Sequence, residues 1–408
     1  MMHVQDRQSD VARASAPDAS GQGVTGTTGV THGADVPASR LRVLQVCLGY
    51  FPYAGGVETH VHEVSRRLAR AGAEVTVLTV DHDGGLPPTE RIEGVLVRRV
   101  RAWPANREFC IAPGIYREIM RGTWDVIHCQ GVHALVPPLA MFAAWRAKIP
   151  YVVTFHSGGH TSRVRNAIRG LQWTILRPLL ARATRLVAVS KFEAMSFQKS
   201  LHLPRERFAT IQNGSHLPRL SGQTPVKAEG ALIVAVGRLE RYKGHQRVIA
   251  ALPQVLAQRP DARLLILGKG PYETTLRRLA QKLGVADRVE FRMIPPSERQ
   301  EMAATLAKAA LMTLLSEYEA HPIAVMEALA LRCPVLVTDT SGFRELADDG
   351  LVRAVSVKSD SAVVAAAILE QLREPMAPTA IELPTWDGCT AQLIDLYGTV
   401  AQEAECAS

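Results

Sequence analysis

The sequence predicts an α/β protein of two doubly wound parallel sheets in tandem, facing one another across a cleft. Three observations predict it. Short apolar runs alternate with helix-period segments from residue 41 onward, a polar Pro/Gly-containing stretch interrupts that alternation at 216–230, and the alternation then restarts. The 408 residues leave room for two or three domains. With 47% hydrophobic and 21% charged residues and a net charge of +8, the chain is ordinary soluble-protein material, which excludes collagen-like and wholly disordered classes. No strict repeat marks a solenoid.

The elements follow in order. LRVLQVCL (41–48) reads as a buried parallel strand, GGVETHVHEVSRRLARAG (55–72) as an amphipathic helix and EVTVLTV (74–80) as the next strand, together a βαβ unit. Strands are expected again at 95–100, 125–129, 151–155, 185–190 and 208–213. In the second half, strands at 231–237, 262–268, 288–292, 310–316 and 334–339 alternate with helices at 243–258, 272–283, 297–308 and 322–331. The organisation is therefore a disordered tail over 1–40, a first domain over 41–217, a linker over 218–229, a second domain over 230–385 and a terminal helix over 386–408. The tail lacks the pattern of a secretory signal, and no apolar run reaches the roughly 18 residues that cross a bilayer. Six scattered cysteines without a C-x-x-C pair fit a reducing compartment and neither a disulfide framework nor a zinc site.

Ligands of open α/β sheets bind at the carboxyl ends of the strands. Beyond the strand at 231–236 stands GRLERYKG, where a bidentate guanidinium (Arg238) and an ammonium (Lys243) suit a diphosphate, although two solvated loop cations would look the same. Beyond 310–316 stands SEYEAHPIAVMEALA, in which Pro322 suits the first helical position. The amides of Ile323, Ala324 and Val325 then make an anion site, with Glu319 before it and Glu327 after it as acceptors for sugar hydroxyls. A capping Glu and an exposed helix Glu are the plain alternative.

These residues resemble a known family. The E-x7-E pair of Glu319 and Glu327, preceded by G-R-L-x3-K-G, followed by CPVLVTDTSGFRE (333–345) and joined to the first-domain segment 55–79, is similar to the retaining GT-B glycosyltransferases of family 4. The resemblance implies two Rossmann-like domains and transfer of a sugar from a nucleotide-sugar, UDP-linked in the first instance, to a hydroxyl of a small molecule, lipid or glycan. It assigns Arg238 and Lys243 to the diphosphate, and the helix start after His321 to the cradle beneath it. Glu327 goes to the ribose hydroxyls and Glu319 to the donor sugar. His156 falls at the anomeric centre, and Gly55 and Gly56 in a loop closing over the phosphates, where a backbone without Cβ approaches a ligand closely. His156 as a hydrogen-bonded edge histidine and the glycines as a flexible turn remain the alternatives.

The resemblance further implies front-side attack without a protein nucleophile. With cations supplied by side chains, it implies catalysis with no metal and no cofactor beyond the donor as co-substrate. Departures are His321-Pro322 where many relatives have Phe-Gly or Phe-Pro, Arg292-Met293 where a glycine is common, and Ser341 for a glycine. The acceptor is expected on loops around Gly55, 107–116 and 156–165. One segment, 163–185, carries six Arg and no acid, and could lie on anionic lipid or be a half-buried helix interrupted at Pro178. Nucleic acid is a poor fit, since no recognition motif accompanies the charge. A cytoplasmic enzyme is expected, with peripheral contact at the inner membrane face as the further option. An epimerase or phosphorylase of the same fold, or a non-catalytic nucleotide-sugar-binding protein, are the competing functions, and the sequence leaves oligomeric state open.

Overall fold

The computed structural model describes residues 41–53, 55–81, 83–104, 110–156, 163–215, 230–295, 298–377 and 382–406, with backbone alone over 163–169. The tail over 1–40, the linker over 218–229 and parts of two expected acceptor loops, 107–109 and 157–162, lie outside the described residues.

A strand covered on both faces is predominantly apolar. Such strands, β1 (Arg42–Val46), β2 (Glu74–Asp81), β5 (Val126–Gln130), β6 (Tyr151–Thr154) and β7 (Arg185–Ala188), form the middle of the first sheet. With β3 (Thr89–Ile92), β4 (Val95–Arg101) and β8 (Phe208–Thr210), the order is β3-β4-β2-β1-β5-β6-β7-β8. The helices of this domain are α1 (Gly56–Arg70), α2 (Pro113–Arg121), α3 (Val136–Ala147), α4 (Arg163–Leu180) and α5 (Lys191–Leu201). On α1 the buried His60, Val61, Val64 and Leu68 recur at helical spacing and give the face that covers the sheet.

The second sheet has order β11-β10-β9-β12-β13-β14, all parallel. Its strands are β9 (Ala231–Val236), β10 (Ala262–Leu267), β11 (Val289–Arg292), β12 (Leu311–Leu314), β13 (Val335–Thr338) and β14 (Arg353–Val355). Its helices are α6 (His245–Gln258), α7 (Glu273–Lys282), α8 (Arg299–Lys308), α9 (Ile323–Ala330), α10 (Gly342–Asp348) and α11 (Ser361–Arg373). Each sheet divides two apolar layers. The direction of winding reverses between β1 and β5 in the first sheet and between β9 and β12 in the second, and a crevice opens at such a switch point.

Three features differ from the sequence reading. The charged TERI segment is an antiparallel edge strand, turned into β4 through Glu93 (φ 45°) and Gly94 (φ 86°), both in the left-handed region that hairpin turns require. Pro178 does not interrupt the basic helix but sits in the last turn of α4. The stretch after β13, left unassigned from sequence, holds α10, β14 and α11.

The last helix, α12 (Trp386–Cys406), packs on the first domain. Its Trp386, Cys389, Leu393, Tyr397 and Val400 share one apolar layer with Val43, Val61, Val64 and Leu68. Arg67 and Arg185 hold it from outside, bonding Asp387 at 2.6 Å and Glu403 at 2.5 Å. Elsewhere the domains meet where the Phe192 ring lies 5.9 Å from that of Tyr318 and the Phe192 amide donates to the Glu345 carboxylate.

Candidate active site

The chain leaving β9 makes a tight turn, Arg241–Lys243, closed by Gly244 at φ 78°. A Cβ on Gly244 would overlap the backbone carbonyl of Leu315, so glycine lets this turn press against the end of β12. That contact brings Lys243 to the loop that precedes α9. Its Nζ lies 2.5 Å from Glu319 Oε1, which also accepts the Ser316 hydroxyl at 2.8 Å. Burial works to lower the Lys243 pKa, and the adjacent Glu319 carboxylate outweighs it, so the ammonium is held charged above its ordinary range. The Glu319 amide in turn donates to Ser341 Oγ at 2.8 Å. Ser341 adopts φ 49°, a conformation in which a non-glycine residue is uncommon.

Arg238 is held on the opposite side of the same turn. Its Nη2 donates to the Tyr242 hydroxyl at 2.9 Å and its Nη1 lies 2.9 Å from Glu240, while Lys243 Nζ sits 5.4 Å from the centre of the Tyr242 ring. The buried Tyr242 thus separates two cations that repel one another. His245 Nε2 donates to the Arg238 carbonyl at 3.3 Å, and burial pushes its pKa down to about 4.

Pro322 caps α9 from just outside rather than forming its first helical residue. The Val325 amide, expected free, donates to the Pro322 carbonyl at 3.1 Å. The helix start therefore offers the amides of Ile323 and Ala324, the positions whose N–H groups have no partner further back in the helix. Ile323 packs against the first domain's apolar layer, so the start of α9 faces that domain. His321, just before it, is buried, and neither ring nitrogen has a hydrogen-bond partner among the described residues. Burial lowers its pKa to about 4.

Glu327 is buried in α9 and accepts from Arg299 of α8, a partner that sequence reasoning missed. Burial raises its pKa in spite of that guanidinium.

In the first domain, Gly55 and Gly56 follow β1, at the switch point. A Cβ at Gly55 would meet the Glu58 carboxylate, the movable end of a side chain, while one at Gly56 would meet open space. Glu58 is a half-buried acid whose pKa is raised by desolvation and held back by the Arg238 charge of the second domain. His156 follows β6 with φ 46°, its Nε2 2.7 Å from Gln130 Oε1 and its ring 4.6 Å from that of His60. Burial, with the neighbouring imidazoles of His60, His128 and His133 adding to it, pushes its pKa well below the ordinary range.

The structure thus joins Lys243, Glu319, Arg238 and the start of α9 at one switch point, and sets Gly55, Gly56 and His156 at strand ends of the other sheet. Sequence reasoning missed Glu58, Tyr242, Arg299 and Ser341 as neighbours. A serine where a glycine is common was the one signal in the sequence, and its positive φ accounts for that glycine. Among the described residues, no three His, Cys, Asp or Glu side chains gather as a metal site.

Two family profiles cover most of the chain. One, Glycosyltransferase Family 4, matches residues 54–218, and the other, Glycosyl transferases group 1, matches 218–382. The chain belongs to the group 1, family 4 glycosyltransferases of GT-B fold. It is 28% identical over 387 residues to the D-inositol 3-phosphate glycosyltransferase of Thermobispora bispora, covering 84% of this chain and 90% of that one. It is 26% identical over 318 residues to the GDP-mannose:cellobiosyl-diphosphopolyprenol alpha-mannosyltransferase of Xanthomonas oryzae, covering 76% and 81%. Among solved structures, the sucrose-phosphate synthase of Thermosynechococcus elongatus shares the fold with a TM-score of 0.66 at 19% identity, over 90% of this chain and 98% of that one.

Proposed function

We propose that this glycosyltransferase moves a hexosyl group, with retention and without a metal, from a nucleoside diphosphate sugar to a hydroxyl of an anionic acceptor. The observation that carries the reading is the half-buried Lys243 ammonium, bound to Glu319 directly before α9 and beside Arg238. Two cations and two helix amides in one crevice match the charge that develops on a departing diphosphate. In the reaction the bond from the anomeric carbon to the diphosphate oxygen breaks, and the acceptor oxygen bonds the same face of that carbon. The acceptor proton passes to the departing diphosphate oxygen. Lys243 and Arg238 stabilise that leaving charge, Glu319 and His156 orient the sugar, and Glu327 takes the ribose hydroxyls once Arg299 yields it.

UDP is the first reading of the base. GDP-mannose is the second, favoured by the relative from Xanthomonas oryzae named for that donor. Both relatives above are named for phosphate-bearing acceptors, which supports an anionic acceptor here.

The same reading makes 163–185 a peripheral contact with anionic lipid at the inner face of a cytoplasmic membrane. Leu171 and Ile175 are exposed one turn apart on α4, and among the described residues no helix is long and apolar enough to cross a membrane. Against it, Arg177 bonds the Leu201 carbonyl and Arg185 bonds Glu403, so both are committed inward. Flotation with vesicles containing phosphatidylglycerol decides this: co-flotation that vanishes in neutral vesicles supports the contact, and its absence in both refutes it.

The donor is tested by thermal shift across a panel of UDP- and GDP-sugars, followed by hydrolysis and transfer. A true donor at a hundredfold excess over its Kd stabilises by about 2.7 kcal/mol. Stabilisation with neither hydrolysis nor transfer would refute the catalytic reading in favour of a binding protein.

A further inference from the structure

The centre of the first sheet holds a file of polar side chains where a parallel sheet is normally apolar. It starts at His156, whose Nε2 lies 2.7 Å from Gln130 Oε1. Gln130 Nε2 donates to Gln45 Oε1 at 2.7 Å, and Gln45 Nε2 donates to the Tyr397 hydroxyl at 2.9 Å. That hydroxyl lies 2.5 Å from His128 Nδ1, and His128 Nε2 lies 2.7 Å from Thr154 Oγ1. Behind His156, the residues Gln130, Gln45, Tyr397, His128 and Thr154 are each at most 2% exposed. Burying five such groups is tolerated only when each finds its partner.

The file is coherent in direction. The Tyr397 hydroxyl has one proton, and burial keeps that proton in place by pushing the phenol up. Accepting from Gln45, it has its single proton left to donate to His128 Nδ1, its other partner. His128 then carries its own proton on Nε2 and donates to Thr154. With Gln45 oriented in this way, Gln130 must present its carbonyl oxygen to His156, and that oxygen requires a proton on His156 Nε2. The two glutamine links are coupled: turning Gln45 over turns Gln130, and with it the nitrogen that His156 must present. The state of His156 is therefore tied to a residue of α12, across two glutamines that connect β1 and β5.

We propose that Tyr397 is a positioning residue for His156: through Gln45 and Gln130, the terminal helix fixes His156 as the Nε2–H tautomer with its lone pair on Nδ1. The tautomer itself is a property of the free protein. Its bearing on turnover rests on the reading of His156 as a group at the sugar.

The test uses the full chain labelled with 15N-histidine, His156 being identified by the ring signals lost in His156→Asn. Wild type is expected to show the Nε2–H pattern at His156. Tyr397→Phe and Gln45→Leu, which break different links, are each expected to convert it to a mixture, and the double variant to add nothing further, as for two residues of one unit. Leu393→Ala is the control: it loosens α12 and lowers Tm while leaving the file whole, so the tautomer stays. If Tyr397→Phe does not fold, Gln45→Leu carries the test alone. An unchanged His156 pattern in every folded link variant overturns the proposal, as does the same change in Leu393→Ala. Hydrolysis of whichever of UDP-glucose or GDP-mannose stabilises the protein is then measured. A kcat about tenfold lower with KM within twofold is expected, roughly the worth of one hydrogen bond. A converted tautomer with undiminished kcat would leave the file standing and remove His156 from the reaction.

Discussion

Replacing His321 by Phe tests the most exposed assumption about the site through its dependence on pH. His321 is buried with both ring nitrogens unpartnered, and its folded pKa is about 4 against an ordinary 6.5. A folded pKa below the unfolded one means that the unfolded chain binds the extra proton first. The associated stability is present above pH 6.5 and is lost as pH falls toward 4. At pH 5, wild type has then forfeited about 2 kcal/mol at this position, at about 1.36 kcal/mol for each of the 1.5 pH units below 6.5. Phenylalanine forfeits nothing. Any packing gain or loss from the larger ring is the same at both pH values and cancels, and His60 and His245, whose pKa values are likewise about 4, titrate equally in both proteins. Urea unfolding at pH 7.5 and at pH 5 is the assay. His321→Phe is expected to gain about 2 kcal/mol on wild type between the two conditions. A gap that stays constant within about 0.5 kcal/mol would show that the imidazole is not a neutral, unpartnered group, and the reasoning would fail.

Three further outcomes follow from the geometry. Lys243→Ala and Arg238→Ala should each lower turnover by about 10²–10³-fold, the scale of a lost transition-state donor, and near-normal transfer in both would remove them from the leaving-group site. Gly244→Ala should lower both kcat and Tm, because its Cβ would collide with the Leu315 carbonyl and lift Lys243 from Glu319; unaltered activity would contradict that placement. Arg299→Ala should destabilise by about 2 kcal/mol in chemical unfolding, between the 3–5 of a fully buried pair and the ~0–1 of an exposed one, since Glu327 is buried and Arg299 is 38% exposed. A loss under about 0.5 kcal/mol would mean Glu327 finds another partner or a proton.

The sheets were legible because strands buried on both faces are written as predominantly apolar runs, as β1, β9 and β12 are. TERI was not, because an edge strand half in water needs no such run, and its turn is signalled only by Glu93-Gly94. At the site, the charged residues were legible and their partners were not. Lys243 and Glu319, Glu327 and Arg299, and Glu319 and Ser341 are joined by folding across 76, 28 and 22 positions, which no local spacing encodes. Nor did the sequence show that a carboxylate of the first turn of α1, that of Glu58, lies against Gly55.

Because α12 lays Trp386, Leu393 and Tyr397 into the first domain, that domain is finished by residues made after the whole second domain. During synthesis its apolar layer around Val43 and Val61 stays uncovered until the whole second domain has emerged, which is the interval in which a nascent chain is most open to aggregation or to chaperone capture. A cut between the two sheets would leave the first domain without the helix that covers it, and deleting α12 would be felt in the first domain rather than the second.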